Sequence, residues 1–279
     1  QTILFLNRRG FSHFFKCSSC GFELKCKNCS VSLTYHKTQK KLICHYCGWQ
    51  LNPPTQCPEC KSLDVGYFGF GTEFIESEVK AKFPNAVVER IDTDNLSSQK
   101  ELQEKLDLFR NNKIDILLGT QMVAKGLNFP NLKLVGVIMA DTGLHLPDFR
   151  ASERTFSLIV QVAGRAGRFF FFFLVIVQSY SPNRSPIYYA CKNRIEEFYD
   201  EELQQRKILD FPPFSRLIRL VFRSPIKEAS ELAANSAAEI LESFREKYNY
   251  DDYEILGPSE CPLSKIAANY RNQIILRSD

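Results

Sequence analysis

The sequence predicts an α/β chain: a parallel sheet with flanking helices, interrupted near its start by a small metal-binding insertion and followed by an α+β domain. Three observations lead there. From Lys61 onward, short apolar runs alternate with helical stretches, the pattern of strands joined by crossover helices. Four C-x-x-C pairs crowd residues 17–60. Residues 181–279 then mix strands with one long amphipathic helix. A chain of 279 residues has room for two or three such units, and 44% apolar with 13% aromatic content supplies their cores.

In chain order, TILFLNRRG reads as the first strand, so the cysteine-rich stretch is expected as an insertion into the sheet domain. VGYFG (65–69), AVVERID (86–92), IDILLGT (114–120), LVGVIMAD (134–141) and LVIVQSY (174–180) are the further strands. Between them SSQKELQEKLDLFRNN has Ser97 or Ser98 as N-cap and Leu102, Leu106 and Phe109 on one face. The expected domains are 1–16 with 61–180 for the sheet, 17–60 for the insertion and 181–279 for the tail, which itself reads as truncated. In the tail we expect helical structure over Ile187 to Lys207, the turn FPPFS and a strand RLIRLVF. A helix from Ile226 to Tyr248 follows, with Leu232, Ile240, Leu241 and Phe244 inward, and then strands around Tyr253 to Leu256 and Gln273 to Arg277.

Eight of ten cysteines fall as CSSC (Cys17, Cys20), CKNC (Cys26, Cys29), CHYC (Cys44, Cys47) and CPEC (Cys57, Cys60). Two intervening residues let both thiolates of a pair face one ion, and a second pair completes a tetrahedral Zn²⁺ site. Eight ligands make two sites. Chain order allows a nested arrangement, Cys17, Cys20, Cys57 and Cys60 on one ion and Cys26, Cys29, Cys44 and Cys47 on the other. Disulfides are opposed by the reducing cytosol, and a thioredoxin-like motif occurs once ahead of a helix rather than four times. His36 and His45 are expected as non-ligands, and Cys191 and Cys261 as ordinary core thiols. A segment this small buries too little to fold alone, so each structural zinc would supply on the order of 10 kcal/mol.

Residues 1–61 carry nine Lys/Arg against Glu23 and Glu59, a local balance of +7 within an overall +4. Such a segment suits a polyanion, because neutralising phosphates releases counterions. Each zinc with four thiolates has net charge −2, so two sites would offset more than half of that excess. Tyr35, Tyr46 and Trp49 read as exposed aromatics able to stack on bases. The longest apolar run, Phe169 to Val177, falls short of the roughly 20 residues of a membrane span, and no signal-peptide pattern opens the chain. A soluble cytoplasmic protein without membrane contact is expected, and the strand-like QTILFLN start without methionine reads as an excised piece.

Functional residues of such sheets gather beyond the carboxyl ends of strands. GFGTE (69–73) and GTQMVAKGLNFP (119–130) each follow a strand, and Asp141 closes another. The helix SERTFSLIVQVAGRAGR ends in two glycines that let backbone approach closely and two arginines, Arg165 and Arg168, that project as fixed cations. The order of these motifs resembles the second, RecA-like motor lobe of superfamily 2 helicases. With the cysteine pairs after FLNRRG, with GTQMVAKGLNFP, DFRASERTFSLIVQVAGRAGR, ILDFPPFSRLIRL and ILGPSECPLSKIAANYRNQIILR, nearly the whole chain resembles the primosomal protein N′ family of bacterial replication-restart helicases.

That resemblance implies an ATP-dependent 3′ to 5′ DNA helicase acting on forked and single-stranded DNA, working with single-stranded DNA-binding protein and with primosome and helicase-loading proteins near the nucleoid. It implies Arg165 and Arg168 as arginine fingers and Gln161 as nucleotide sensor. Gly119, Thr120, Gln121, Lys125 and Gly126 would couple the nucleotide to DNA, with Gly71, Thr72 and Glu73 near the DNA track. For Asp148, Arg150 and Glu153, direct function and a salt-bridged cap remain equal alternatives. Two departures stand out. No G-x-x-x-x-G-K-[ST] and no D-E-x-H is present, so ATP and Mg²⁺ would be held by another lobe and this chain alone is expected inactive. FFFFFLVIV after Arg168 replaces the polar turn expected there and is assigned no function. Two rivals stay open: a non-enzymatic zinc module binding nucleic acid or protein, and another superfamily 2 translocase.

Overall fold

The computed structural model describes residues 1–6, 14–29, 31–36, 40–44, 47–68, 72–92, 98–120, 129–145, 148–164, 173–250 and 252–278. Of the residues singled out above, Gly71, Gln121, Lys125, Gly126, Arg165 and Arg168 lie outside the described residues, as do His45 and Tyr46. The strands are β1 (Thr2–Leu6), β2 (Phe14–Cys17), β3 (Thr34–His36), β4 (Lys41–Ile43), β5 (Gln50–Leu51), β6 (Val65–Phe68), β7 (Val88–Ile91), β8 (Ile116–Gly119), β9 (Leu134–Ile138), β10 (Leu174–Val177), β11 (Arg216–Ser224), β12 (Tyr253–Ile266) and β13 (Asn269–Ser278). The α-helices are α1 (Thr72–Lys82), α2 (Gln99–Arg110), α3 (Ala151–Ala163), α4 (Ser185–Cys191), α5 (Ile195–Ile208) and α6 (Lys227–Tyr248), with a 3₁₀ turn over Ala140–His145. They form two compact units, residues 1–11 with 70–202 and residues 12–69 with 203–279.

The first unit is built on a five-stranded sheet in the order β10-β9-β1-β8-β7, every pair parallel. Helices on both faces explain why β8 is buried along its whole length and why its sequence ILLG does not alternate. On one face Ile3, Phe5, Leu117, Val135 and Val137 meet Leu106 and Phe109 of α2 and Phe156, Ile159 and Val162 of α3. The other face packs Val79 of α1 against Val88 and Ile116. Phe156 stacks on Phe198 with ring centroids 3.9 Å apart, and Ile187 and Ala190 join the same core, which therefore runs past residue 180. Ser98 is the N-cap of α2: its hydroxyl accepts from the Glu101 N–H at 3.2 Å.

Asp141, at the carboxyl end of β9, is only 7% exposed. Its carboxylate accepts from the Ser179 hydroxyl at 2.8 Å and from the N–H groups of Tyr180 and Ser181 at 2.9 and 3.1 Å. Burial opposes ionisation, but these donors outweigh it and hold the carboxyl below its ordinary range. The side chain thus ties the chain leaving β10 to the end of β9. Because the folded pKa is depressed, this stabilisation is present above the unfolded value of about 3.9 and fades as pH falls through the folded one. Asp141→Asn is expected to cost about 1.5–3 kcal/mol at neutral pH, the range for hydrogen bonds to a charged group, and the penalty should shrink in acid. Urea unfolding at several pH values measures both.

In the second unit, β5-β4-β3-β2-β6 form one antiparallel sheet around the cysteines, and β11-β13-β12 form another that carries α6. The expected inward face of α6 is corrected. Leu232, Ile240 and Phe244 are 67%, 55% and 50% exposed, while Ser230 and Ala234 are buried and Leu241 half-buried. Polar anchoring sets this rotation. The Ser230 hydroxyl donates to the Phe222 carbonyl at 3.1 Å and accepts from Asn272 Nδ2 at 3.0 Å, and small residues there bring the helix close to the sheet. Cys191 is likewise corrected: it is exposed at the end of α4, whereas Cys261 is buried as expected.

Candidate functional site

Each cysteine pair sits in a tight knuckle. The N–H of the first cysteine donates to the carbonyl five residues on, as Cys17 does to Phe22, Cys44 to Trp49 and Cys57 to Ser62, at 2.8–2.9 Å. The residue four on donates back to that cysteine's carbonyl, and at this place Gly21, Gly48 and Lys61 have φ of +75°, +73° and +61°. An added Cβ at Gly21 or Gly48 would meet nothing within 4 Å. The glycines are therefore required by backbone conformation and not by space.

The knuckles converge in two groups, Cys17, Cys20, Cys57 and Cys60, and Cys26, Cys29, Cys44 and Cys47, with the sulfurs of each group all within 4.8 Å of one another. This is the nested grouping. Contacts of 3.6 Å (Cys17–Cys60), 3.7 Å (Cys20–Cys57) and 3.6 Å (Cys26–Cys47) are far beyond an S–S bond of about 2.05 Å. They match the edge, about 3.8 Å, of a tetrahedron with Zn–S bonds of about 2.3 Å. Thiols so close cannot ionise together without a cation. Burial, with neighbouring sulfurs, pushes Cys26 up to about 12, and burial likewise raises Cys29. Cys47, helped first by the Trp49 N–H, falls to about 7. Cys17 falls to about 7 against its burial, through the N–H groups of Cys20 and Ser19. The residues fit two zinc ions.

Around the second group, Tyr35 and Trp49 are half-buried against the module core of Phe15, Leu33 and Leu42, and Lys27 Nζ lies 5.1 Å above the Trp49 ring. They are half-buried where fully exposed stacking faces were expected. A core this small recruits whichever large side chains are at hand.

In the first unit, Gly119 ends β8 and Thr120, 9% exposed, follows it. Thr72 is buried at the start of α1, its hydroxyl donating to Asp92 Oδ2 at 2.5 Å. Glu73 pairs with Arg90 at 3.3 Å, and Arg90 also reaches Glu76 at 3.4 Å and Asp92 at 3.5 Å. Thr72 and Glu73 thus lock α1 to the end of β7. Arg90 and Asp92 had no sequence signal beyond lying at a strand end. Asp148 accepts from the Arg150 N–H at 2.9 Å and pairs with Arg154 at 2.7 Å, so this loop braces the start of α3. At the other end of α3, Gln161 is exposed, and Gly164 closes the helix with its N–H on the Val160 carbonyl at 2.9 Å.

Three family descriptions match the chain: the helicase conserved C-terminal domain over residues 64–170, the PriA DNA helicase Cys-rich region domain over 26–51 and the primosomal protein N C-terminal domain over 207–279. The replication restart protein PriA of Treponema pallidum is 50% identical over all of this chain, that of Borreliella burgdorferi 43% over all of it and that of Bacillus subtilis 41% over 99% of it. The chain belongs to the PriA family and matches its C-terminal portion. It spans 42%, 41% and 34% of the length of those three PriA relatives. Within the family frame, the parallel sheet is the helicase C-terminal lobe, the two Cys₄ groups lie in and around the Cys-rich region, and the β11–β13 sheet with α6 is the C-terminal domain. Among the described residues no helix is long and apolar enough to cross a membrane.

Proposed function

We propose that this chain is the second motor lobe, metal module and C-terminal domain of an ATP-dependent 3′ to 5′ DNA helicase that restarts stalled replication forks and helps assemble the primosome. Arg165 and Arg168 reach the γ-phosphate of ATP held on another lobe, and Gln161 senses the nucleotide. Gly119, Thr120, Gln121, Lys125 and Gly126 relay nucleotide state to the DNA. Gly71 is at the DNA track, while Thr72 and Glu73 act there by positioning α1 through Asp92 and Arg90. The eight paired cysteines ligate two structural zinc ions. Forked and single-stranded DNA, single-stranded DNA-binding protein and helicase-loading proteins are the partners, in the cytoplasm at the nucleoid.

The observation that carries this reading is the placement, in one span matched by the helicase C-terminal description, of a strand ending in Gly119 and followed by Thr120, and of a helix whose exposed Gln161 and closing Gly164 precede the arginine pair in sequence. Preorganised cations there would stabilise charge as it develops on the transferring phosphoryl group. When bound, Mg²⁺ and ATP supply the phosphoryl chemistry. We expect a protein that also carries the nucleotide-binding lobe to hydrolyse ATP with forked DNA, and this 279-residue chain alone to show no turnover. A phosphate-release assay on both decides it, and hydrolysis by the short chain would remove the basis for the two-lobe assignment.

A further inference from the structure

The two Cys₄ groups differ in their surroundings. In the outer group Cys20 and Cys60 are exposed, whereas in the inner group Cys26, Cys29 and Cys44 are buried and Cys47 is half-buried. Part of the inner cover comes from far along the chain, in the same compact unit. Strands β12 and β13 are joined by a two-residue turn, Ala267-Ala268, between the paired residues Ile266 and Asn269. Both alanines have positive φ, +49° and +64°, the arrangement of a primed hairpin turn. Such a turn points the N–H groups of its two central residues out of the hairpin, where each needs an acceptor. Both find one on the inner knuckle: Ala267 N–H donates to Cys29 Sγ at 3.0 Å, and Ala268 N–H donates to the Asn28 carbonyl at 2.7 Å. Ile266 packs into the module core with Phe15, Leu33 and Leu42, and Lys265 Nζ reaches the Lys27 carbonyl at 3.5 Å.

We propose that the β12–β13 hairpin tip is a positioning element of the inner metal centre, so that zinc at Cys26, Cys29, Cys44 and Cys47 and docking of the C-terminal sheet on the metal module stabilise one another. A four-thiolate zinc centre carries net negative charge, and an N–H aimed at one sulfur offsets it while fixing that ligand's direction. Zinc in turn holds the knuckle in the shape that presents Cys29 Sγ and the Asn28 carbonyl to the turn. Two sites linked in this way change each other's binding by the same factor. The outer centre, with no such clamp among its described contacts, is independent of the hairpin.

The test uses the zinc-loaded full chain and competition with a chromophoric chelator, in a Cys57→Ser background that disables the outer centre. Ala267→Pro removes the donor and cannot adopt positive φ, and is expected to weaken inner-site zinc affinity about 10–100-fold, the range for loss of such a supporting hydrogen bond. Ala267→Asn keeps the N–H and tolerates the left-handed conformation, and should bind zinc as the parent does. Equal affinity in the proline and asparagine variants would overturn the proposal. A reciprocal measurement does not depend on the proline variant folding. Amide exchange at Ala267 and Ala268 should accelerate about 10–100-fold in Cys44→Ser, by the same linkage, and not in Cys57→Ser. Protection that is unchanged in Cys44→Ser, or lost equally in both, would also sink it.

Discussion

Removal of zinc is expected to unfold the metal module while leaving the parallel sheet intact. The module core of Phe15, Leu33, Leu42 and the cysteines themselves is small, and its strands β3, β4 and β5 are two or three residues long. Two structural sites contribute on the order of 10 kcal/mol each, more than such a core can replace. With a strong chelator, amide protection of the described residues between 14 and 68 should vanish, whereas β1 and β7–β9, the largely buried strands of the parallel sheet, keep theirs. Acid should act in the same direction. Thiols pushed to about 12, as Cys26 is, are protonated at neutral pH without metal, so binding must displace their protons and weakens as pH falls. A module that kept its protection after complete zinc removal would show that the sulfurs are ordinary core packing.

The second large effect concerns turnover. In a protein with both lobes, Arg165→Ala or Arg168→Ala should lower DNA-stimulated ATP turnover by about 10³–10⁵, the range for loss of an arginine finger, with little change in zinc content. Lysine should not rescue it, because a point charge on a flexible stem cannot reproduce the planar fork that grips a phosphoryl group from two donors. The loss should fall on kcat more than on KM for ATP, since the contact strengthens in the transition state. Steady-state kinetics over a range of ATP concentrations separates the two. Unchanged turnover would leave the chain as a binding module without a motor role.

Much of this was legible because short-range rules govern it. The β8 run ILLG, the Ser98 cap and the spacing of C-x-x-C-G carry their own geometry, so strand, helix start and knuckle could be read locally. Where the reading failed, side chains had two competing uses. Leu232, Ile240 and Phe244 have helical spacing that suits a core, yet the Ser230 hydroxyl, donating to Phe222 and accepting from Asn272, turned a different face of α6 to the sheet. Trp49 and Tyr35 read as surface aromatics until a module short of apolar volume absorbed them. The buried partnership of Thr72 with Asp92 and of Glu73 with Arg90 joins residues about twenty positions apart, beyond any local pattern.

What the sequence by itself determined is therefore the class of each part: an alternating α/β sheet, four metal knuckles with eight ligands, and the ordered motifs that place the chain in a helicase family. These depend on residue type and on spacings of a few positions, which fix backbone conformation before any long-range contact forms. Only the tertiary structure decided which knuckles share a centre, which face of α6 is covered, and that the turn at Ala267 and Ala268 closes over Cys29 from 238 residues away. Those outcomes follow from hydrogen bonds and packing between distant segments, whose partners are chosen by three-dimensional proximity and leave no periodic trace along the chain.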